Sequence, residues 1–190
     1  MQQIHSAIAL KQALLADEAL PAKMETAIQR CIDCFRQGGK VLFCGNGGSA
    51  ADAQHLAAEL SGRFYFDRPP LFAEALHVNT SYLTAVGNDY GYEASFARMA
   101  EAMLRSGDII FLLTTSGNSP NVLAAAEKAL TAGAYLIGMT GESGGQLGPQ
   151  VDLLLNMPST DTPRIQEAHM LLGHIICEEV EKALFAEGEK

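Results

Sequence analysis

Hydrophobic residues fall at two different periods along this chain. Met24, Ile28, Cys31, Ile32 and Phe35 recur at helical spacing, which predicts an amphipathic helix over 21–37. A similar stretch over 3–16 predicts a helix before it, with Pro21 between the two and Gly38-Gly39 as the stop. From residue 40 the pattern changes to short, mostly apolar runs at 40–44, 72–78, 109–114, 134–140 and 151–157. Each reads as a strand buried on both faces. Between them lie helical stretches from Ser49 to about Leu60, from Thr80 to a break at Gly87-Asn88-Asp89, over 92–105, and over 121–132 up to Gly133. A final helix is expected over 163–185, and Ser49 and Ser119 are candidate helix caps, the second followed by Pro120.

Strands that alternate with helices and are apolar on both faces belong in a parallel sheet covered on both sides. The expected fold is α/β, a doubly wound, flavodoxin-like five-stranded parallel sheet. The two helices of 1–37 precede the first strand and either pack on the sheet or supply a subunit interface.

The 190 residues are enough for one domain with a real core, and no repeat or linker divides them. The net charge of −9 argues against nucleic-acid partners and against docking on an anionic membrane. No apolar run is long enough to span a bilayer and no signal-peptide pattern opens the chain, so a cytoplasmic location is expected. Four cysteines are too few and too scattered for a disulfide framework. Cys31 lies on the core face of its helix, so the Cys31–Cys34 pair reads as buried thiols.

Two strand ends carry the candidate chemistry. Gly45-Asn46-Gly47-Gly48-Ser49 and Thr114-Thr115-Ser116-Gly117-Asn118-Ser119 each lead from a strand into a helix. In open α/β sheets ligands sit beyond the carboxyl ends of the strands, and a helix N-terminus offers free N–H groups to an anion. One such loop would be an ordinary tight turn, but two in one domain point to a single small phosphate. Neither loop matches a P-loop or a dinucleotide fingerprint.

His55 and Glu59 are four residues apart on the helix after the first loop and so face the same way. The pair suits a divalent metal or proton transfer, although exposed pairs at this spacing are common. In the last helix Gln166, Met170, Gly173 and His174 share a broad face. Periodicity does not decide between His169 and His174 as the functional histidine.

The segments CGNGGSAADAQHLAAELSGRF, VGNDYGY, TTSGNSPNV, TGESGGQL and RIQEAHMLLGH occur in this order. Together they resemble the phosphoheptose isomerases of the sugar isomerase (SIS) superfamily over nearly the whole chain, 1–190, N-terminal helices included. The resemblance implies an aldose–ketose isomerase that interconverts sedoheptulose 7-phosphate and D-glycero-D-manno-heptose 7-phosphate through an enediol, the opening step toward bacterial surface heptose. It implies that Asn46, Gly47 and Gly48 form the first substrate loop and that Asn88 and Asp89 touch the sugar. Thr114, Thr115, Ser116 and Ser119 would hold the phosphate, and Arg63 would lie near the substrate. His55, Glu59, Gln166 and His174 occupy the family's zinc positions, one Zn²⁺ per subunit, and Glu59 and His174 match its base and acid. The resemblance thus selects His174 over His169.

It further implies a homotetramer with active sites between subunits. Where some members carry an aspartate three residues before the glutamine, this chain has Pro163, with Asp161 nearby. Two other readings of the same domain are a non-catalytic relative that binds a replication-initiator protein and an isomerase of another sugar phosphate. The presence of both Glu59 and His174 disfavours the first. The lack of a lysine placed for Schiff-base chemistry weakens an amino-sugar version of the second.

Overall fold

The computed structural model describes residues 1–186; the last four of the expected 1–190 unit lie outside the described residues. Five parallel strands form one sheet: β1 (Val41–Gly45), β2 (Ala73–Ala75), β3 (Ile109–Leu113), β4 (Tyr135–Thr140) and β5 (Leu153–Asn156), in the order β2-β1-β3-β4-β5. Around them run α1 (Gln2–Ala16), α2 (Leu20–Arg36), α3 (Gly48–Ser61), α4 (Thr80–Asp89), α5 (Ala94–Met103), α6 (Pro120–Ala132) and α7 (Thr162–Phe185). This is the expected doubly wound arrangement.

The apolar strands divide their side chains between two cores by simple alternation. Val41, Phe43, Ile109, Phe111, Leu113, Ile137 and Met139 pack with buried residues of α1, α2, α3 and α7. Leu42, Cys44, Ile110, Leu112 and Leu136 point the other way, onto α5 and α6. Phe43 and Phe111 stack at 5.0 Å between ring centroids in the first core. All four cysteines are buried and unpaired, and burial pushes the Cys34 thiol up to about 11. Such thiols stay protonated and unreactive.

Of the two N-terminal helices, α2 packs through Ala27, Cys31 and Ile32 into the first core. Helix α1 buries only Leu10 and Leu14, and leaves Ile4, Ile8 and Leu15 exposed.

Two local expectations are corrected. Gly87-Asn88-Asp89 is not a break: α4 runs through it and ends at Tyr90, before Gly91 takes φ +84°. One glycine inside a helix costs only about 1 kcal/mol, and α4 carries it while burying Val86. Ser49 does not cap α3; Gly47 occupies the cap position with φ +56°, and Ser49 is buried inside the first turn. Strand ends elsewhere differ from expectation by a few residues at most, because hydropathy marks buried runs and not the last ladder hydrogen bond.

Candidate active site

Strand order places the switch point between β1 and β3. The chain leaves β1 toward β2 on one side and returns to β3 on the other, so the loops after β1 and β3 flank a crevice at the carboxyl edge. These are the two Gly/Ser/Asn loops.

The second loop gathers hydroxyls. Thr114 Oγ1 lies 2.9 Å from Ser119 Oγ and 3.5 Å from Ser116 Oγ. Ser119 is the N-cap of α6 by backbone geometry, but its side chain bonds Thr114 instead of the helix amides. Among the described residues, the backbone amides of Thr115, Ser116 and Ser119 find no acceptor in the protein. Three hydroxyls and three free amides at a helix N-terminus form an anion cradle. The cradle is braced by the turn 141–146, to which the sequence alone assigned no role. Gly141 N–H donates to Thr115 O at 3.0 Å, Gln146 N–H to Asn118 Oδ1 at 3.0 Å, and Leu147 N–H to Gly117 O at 3.0 Å. Gly117 has φ +68°, and a Cβ there would stand 2.2 Å from Gly144 O, so only glycine fits between the two turns.

Asn46, in the first loop, makes a reciprocal amide pair with Asn121 of α6 at 2.8 and 2.9 Å, and its Oδ1 also accepts from Tyr92 OH at 3.0 Å. The side chain therefore ties the two loops together across a cleft of about 240 Å³, lined by Asn46, Tyr92, Ser119 and Asn121. Asn121 and Tyr92 escaped the sequence reading. The one signal was an amide two residues after the cap, and only tertiary contact reveals its buried partner.

The other half of the site is built by α3 and α7, which run side by side from the loop end. Gly48 and Gln166 meet at the top: a Cβ on Gly48 would lie 2.5 Å from Gln166 Nε2. Further along, a Cβ on Gly173 would lie 2.6 Å from Leu56 Cδ1, so a second glycine permits the close approach. That approach brings three side chains together. His174 Nε2 lies 3.0 Å from His55 Nε2, His55 Nε2 lies 2.9 Å from Glu59 Oε1, and His174 Nε2 lies 3.9 Å from the same oxygen.

These residues can hold a metal. The three ligand atoms lie within 4.8 Å of one another, and two imidazole nitrogens with a carboxylate oxygen are a donor set that suits a divalent ion such as Zn²⁺. Gln166 stands eight residues before His174 on the same helix, roughly 12 Å along the axis, with its carboxamide at Gly48.

The choice between the two histidines is visible directly. His169 is completely buried, with Nε2 donating to Thr140 O at 3.1 Å and Nδ1 left without a partner. Burial lowers its pKa to about 4, so it is a neutral structural group. Its folded value lies below the unfolded one, so the unfolded chain takes up the proton first as pH falls. Stability is therefore lost from about pH 6.5 down to 4. In urea titrations, the stability of wild type relative to His169→Gln should fall by up to about 1.4 kcal/mol per pH unit across that window. A constant difference would show that His169 is not the group responsible.

The remaining expected residues are dispersed within the one chain. Asn88 and Asp89 are exposed at the end of α4 and bond each other at 2.8 Å. Arg63 is exposed just beyond α3. Asp161 is the N-cap of α7, without a side-chain cap bond, and Pro163 sits in the helix's first turn.

A buried ion pair that the sequence did not flag lies below the metal-type cluster. Arg68 and Glu181 meet at 2.9 Å with side chains 2% and 1% exposed. Burial pushes the Glu181 carboxyl up, but the amides of Phe64, Tyr65 and Phe66 and the Arg68 guanidinium outweigh it and hold the pKa below the usual value.

The SIS domain model matches residues 4–141. Over 179 residues the chain is 55% identical to the phosphoheptose isomerase of Mycobacterium tuberculosis (strain ATCC 25177 / H37Ra), covering 94% of this chain and 91% of that protein. The chain belongs to the phosphoheptose isomerase family. The Burkholderia pseudomallei (strain 1710b) phosphoheptose isomerase is 53% identical over 173 residues, 91% of this chain and 88% of its own. The phosphoheptose isomerase structure from Francisella tularensis superposes with a TM-score of 0.91 at 38% identity, covering 95% of each chain. That from Neisseria gonorrhoeae gives 0.88 at 40% identity, covering 95% of this chain and 96% of that one. Family membership makes this chain a sugar-phosphate isomerase, and no described helix is long and apolar enough to cross a membrane.

Proposed function

We propose that this isomerase interconverts sedoheptulose 7-phosphate and D-glycero-D-manno-heptose 7-phosphate on the face between the anion cradle and the His55–Glu59–His174 cluster. The observation that carries the reading is the convergence of two imidazole nitrogens and a carboxylate oxygen at the foot of helices whose upper ends adjoin that cradle. The spacing suits a long sugar. Gly48 to His55 is seven residues of helix, about 10 Å. Phosphorus to C1 of a heptulose phosphate is eight single bonds, roughly 9–10 Å when extended.

In this reading the phosphate sits against Thr114, Thr115, Ser116 and Ser119, with the amides of Gly47 and Gly48 nearby. Glu59 takes the proton from the carbon beside the carbonyl, and His174 delivers a proton to the neighbouring oxygen or carbon. Anchoring the far end orients C1 and C2 against both groups. His55, Glu59 and His174 would hold one Zn²⁺ per subunit; Gln166, whose carboxamide stands at Gly48 here, would have to turn down toward the cluster to join them as a fourth donor. Bound there, the ion would polarise the carbonyl and stabilise the enediolate charge.

Residues 1–190 act as one SIS unit in a cytoplasmic homotetramer that feeds surface-heptose synthesis. The exposed Ile4, Ile8, Tyr65, Leu171 and Ile175 support such an assembly. Arg63, Asn88 and Asp89 would then reach substrate where subunits meet.

The test is heptose-phosphate formation by metal-depleted and zinc-restored protein, with pentose and amino-sugar phosphates as competing substrates. Turnover is expected to vanish on depletion, to return with one zinc per subunit, and to favour the heptulose. Full activity without metal, or equal turnover of a pentose phosphate, overturns the reading.

A further inference from the structure

The segment 62–71 links α3 to β2 and passes beside the cluster, and a single buried ion pair organises it. Glu181, near the end of α7, accepts from Phe64 N–H at 2.8 Å, Tyr65 N–H at 2.5 Å and Phe66 N–H at 3.0 Å, and from Arg68 Nε at 2.9 Å. The guanidinium then turns to the end of α3. Its Nη2 donates to Glu59 O at 3.0 Å, and its Nη1 to Leu60 O at 2.7 Å and Gly62 O at 3.1 Å. Terminal carbonyls of a helix have no intrahelical partner, and a buried cation satisfies them and opposes the helix dipole. The Phe64 ring, held by the first of those amides, stands 5.8 Å from the His174 ring, centroid to centroid.

One pair of side chains thus ties the backbone of Glu59, the wall beside His174 and the distal part of α7 into a single unit. We propose that Arg68 and Glu181 are positioning residues for the metal and proton-transfer end of the site: they fix where Glu59 and His174 stand relative to each other and leave the phosphate cradle alone. The inference rests on reading His55, Glu59 and His174 as that end. The cradle is braced separately, by the turn 141–146 and the Asn46–Asn121 pair. Damage to the clamp should therefore split the two halves of the site. Three ligand atoms gathered about one point need sub-ångström placement, and helices hold it only when their own ends are fixed.

The test uses full-length protein carrying Glu181→Gln or Arg68→Lys. In the first, the amide NH₂ must face another donor, either a backbone N–H or Arg68. In the second, one ammonium cannot reach the Glu59, Leu60 and Gly62 carbonyls together while also pairing with Glu181. Zinc affinity is measured by competition with a chromophoric chelator, without substrate. Expected for both variants is at least tenfold weaker zinc binding and at least tenfold lower kcat at saturating zinc, with KM for sedoheptulose 7-phosphate within about twofold of wild type.

Variants that are folded by circular dichroism but bind zinc as tightly as wild type overturn the proposal. So does an equal rise in KM, or failure of both variants to fold, since the pair would then support the domain as a whole. Wild type that binds zinc but does not turn over the heptulose phosphate removes only the isomerase reading, because the zinc comparison still stands. Wild type that binds no zinc removes both.

Discussion

Glu59→Gln is expected to lower kcat by about 10²–10⁴-fold, the contribution a positioned general base makes to proton transfer. The substitution keeps an oxygen at the position of Oε1, 2.9 Å from His55 Nε2, and removes the basic lone pair that the isomerisation needs. Glu59 is only partly buried and faces its two histidines, so the fold should tolerate the change. His174→Ala should cause a loss of similar size, because it deletes both the acid and one of the three converging ligand atoms. The two variants should differ in metal content, with His174→Ala losing zinc more readily than Glu59→Gln. Steady-state kinetics on purified protein, paired with metal analysis, check this. Turnover within threefold of wild type in either folded variant would remove that residue from the mechanism.

Gly117→Ala is expected to destabilise the protein by about 3 kcal/mol or more, a shift of roughly 10 °C in Tm for a chain of this size, and to raise KM at least tenfold. Two costs combine. The φ of +68° penalises any Cβ, by about 1–2 kcal/mol. The Cβ would also stand 2.2 Å from the Gly144 carbonyl oxygen, and main chain cannot rotate away as a side-chain tip can. The turn 141–146 must then move off the cradle, taking with it the hydrogen bonds that hold Thr115, Gly117 and Asn118. Gly38→Ala isolates the first cost, since Gly38 has φ +75° with nothing within 4 Å of the added methyl. Thermal melts of both variants decide: equal losses would mean that the packing of the two turns adds nothing.

The candidate site was legible in the chain to different depths. The anion loops could be read because phosphate binding there uses local features, namely a strand end, small polar residues and a helix N-terminus. His55 and Glu59 could be paired because four residues is one helical turn. Their partner could not be read from spacing, since His169 and His174 both lie in an apolar helix. Family resemblance pointed to His174, and the structure separates the two by placing His169 against Thr140 and His174 beside His55. Asn121, Tyr92, Arg68 and Glu181 stayed hidden because each has partners far along the chain and no local motif requires them.

The sequence by itself determined the class of fold and the edge of the sheet where the chemistry gathers. Buried parallel strands must be apolar on both faces, and strand-loop-helix order leaves the ligand edge little choice. Only the tertiary structure decided what stands next to what. The closeness of α3 and α7 depends on two glycines, Gly48 against Gln166 and Gly173 against Leu56, and a missing Cβ leaves no periodic trace. The convergence of His55, Glu59 and His174 follows from that closeness, because side-chain atoms meet through packing of distant segments, which no local pattern encodes.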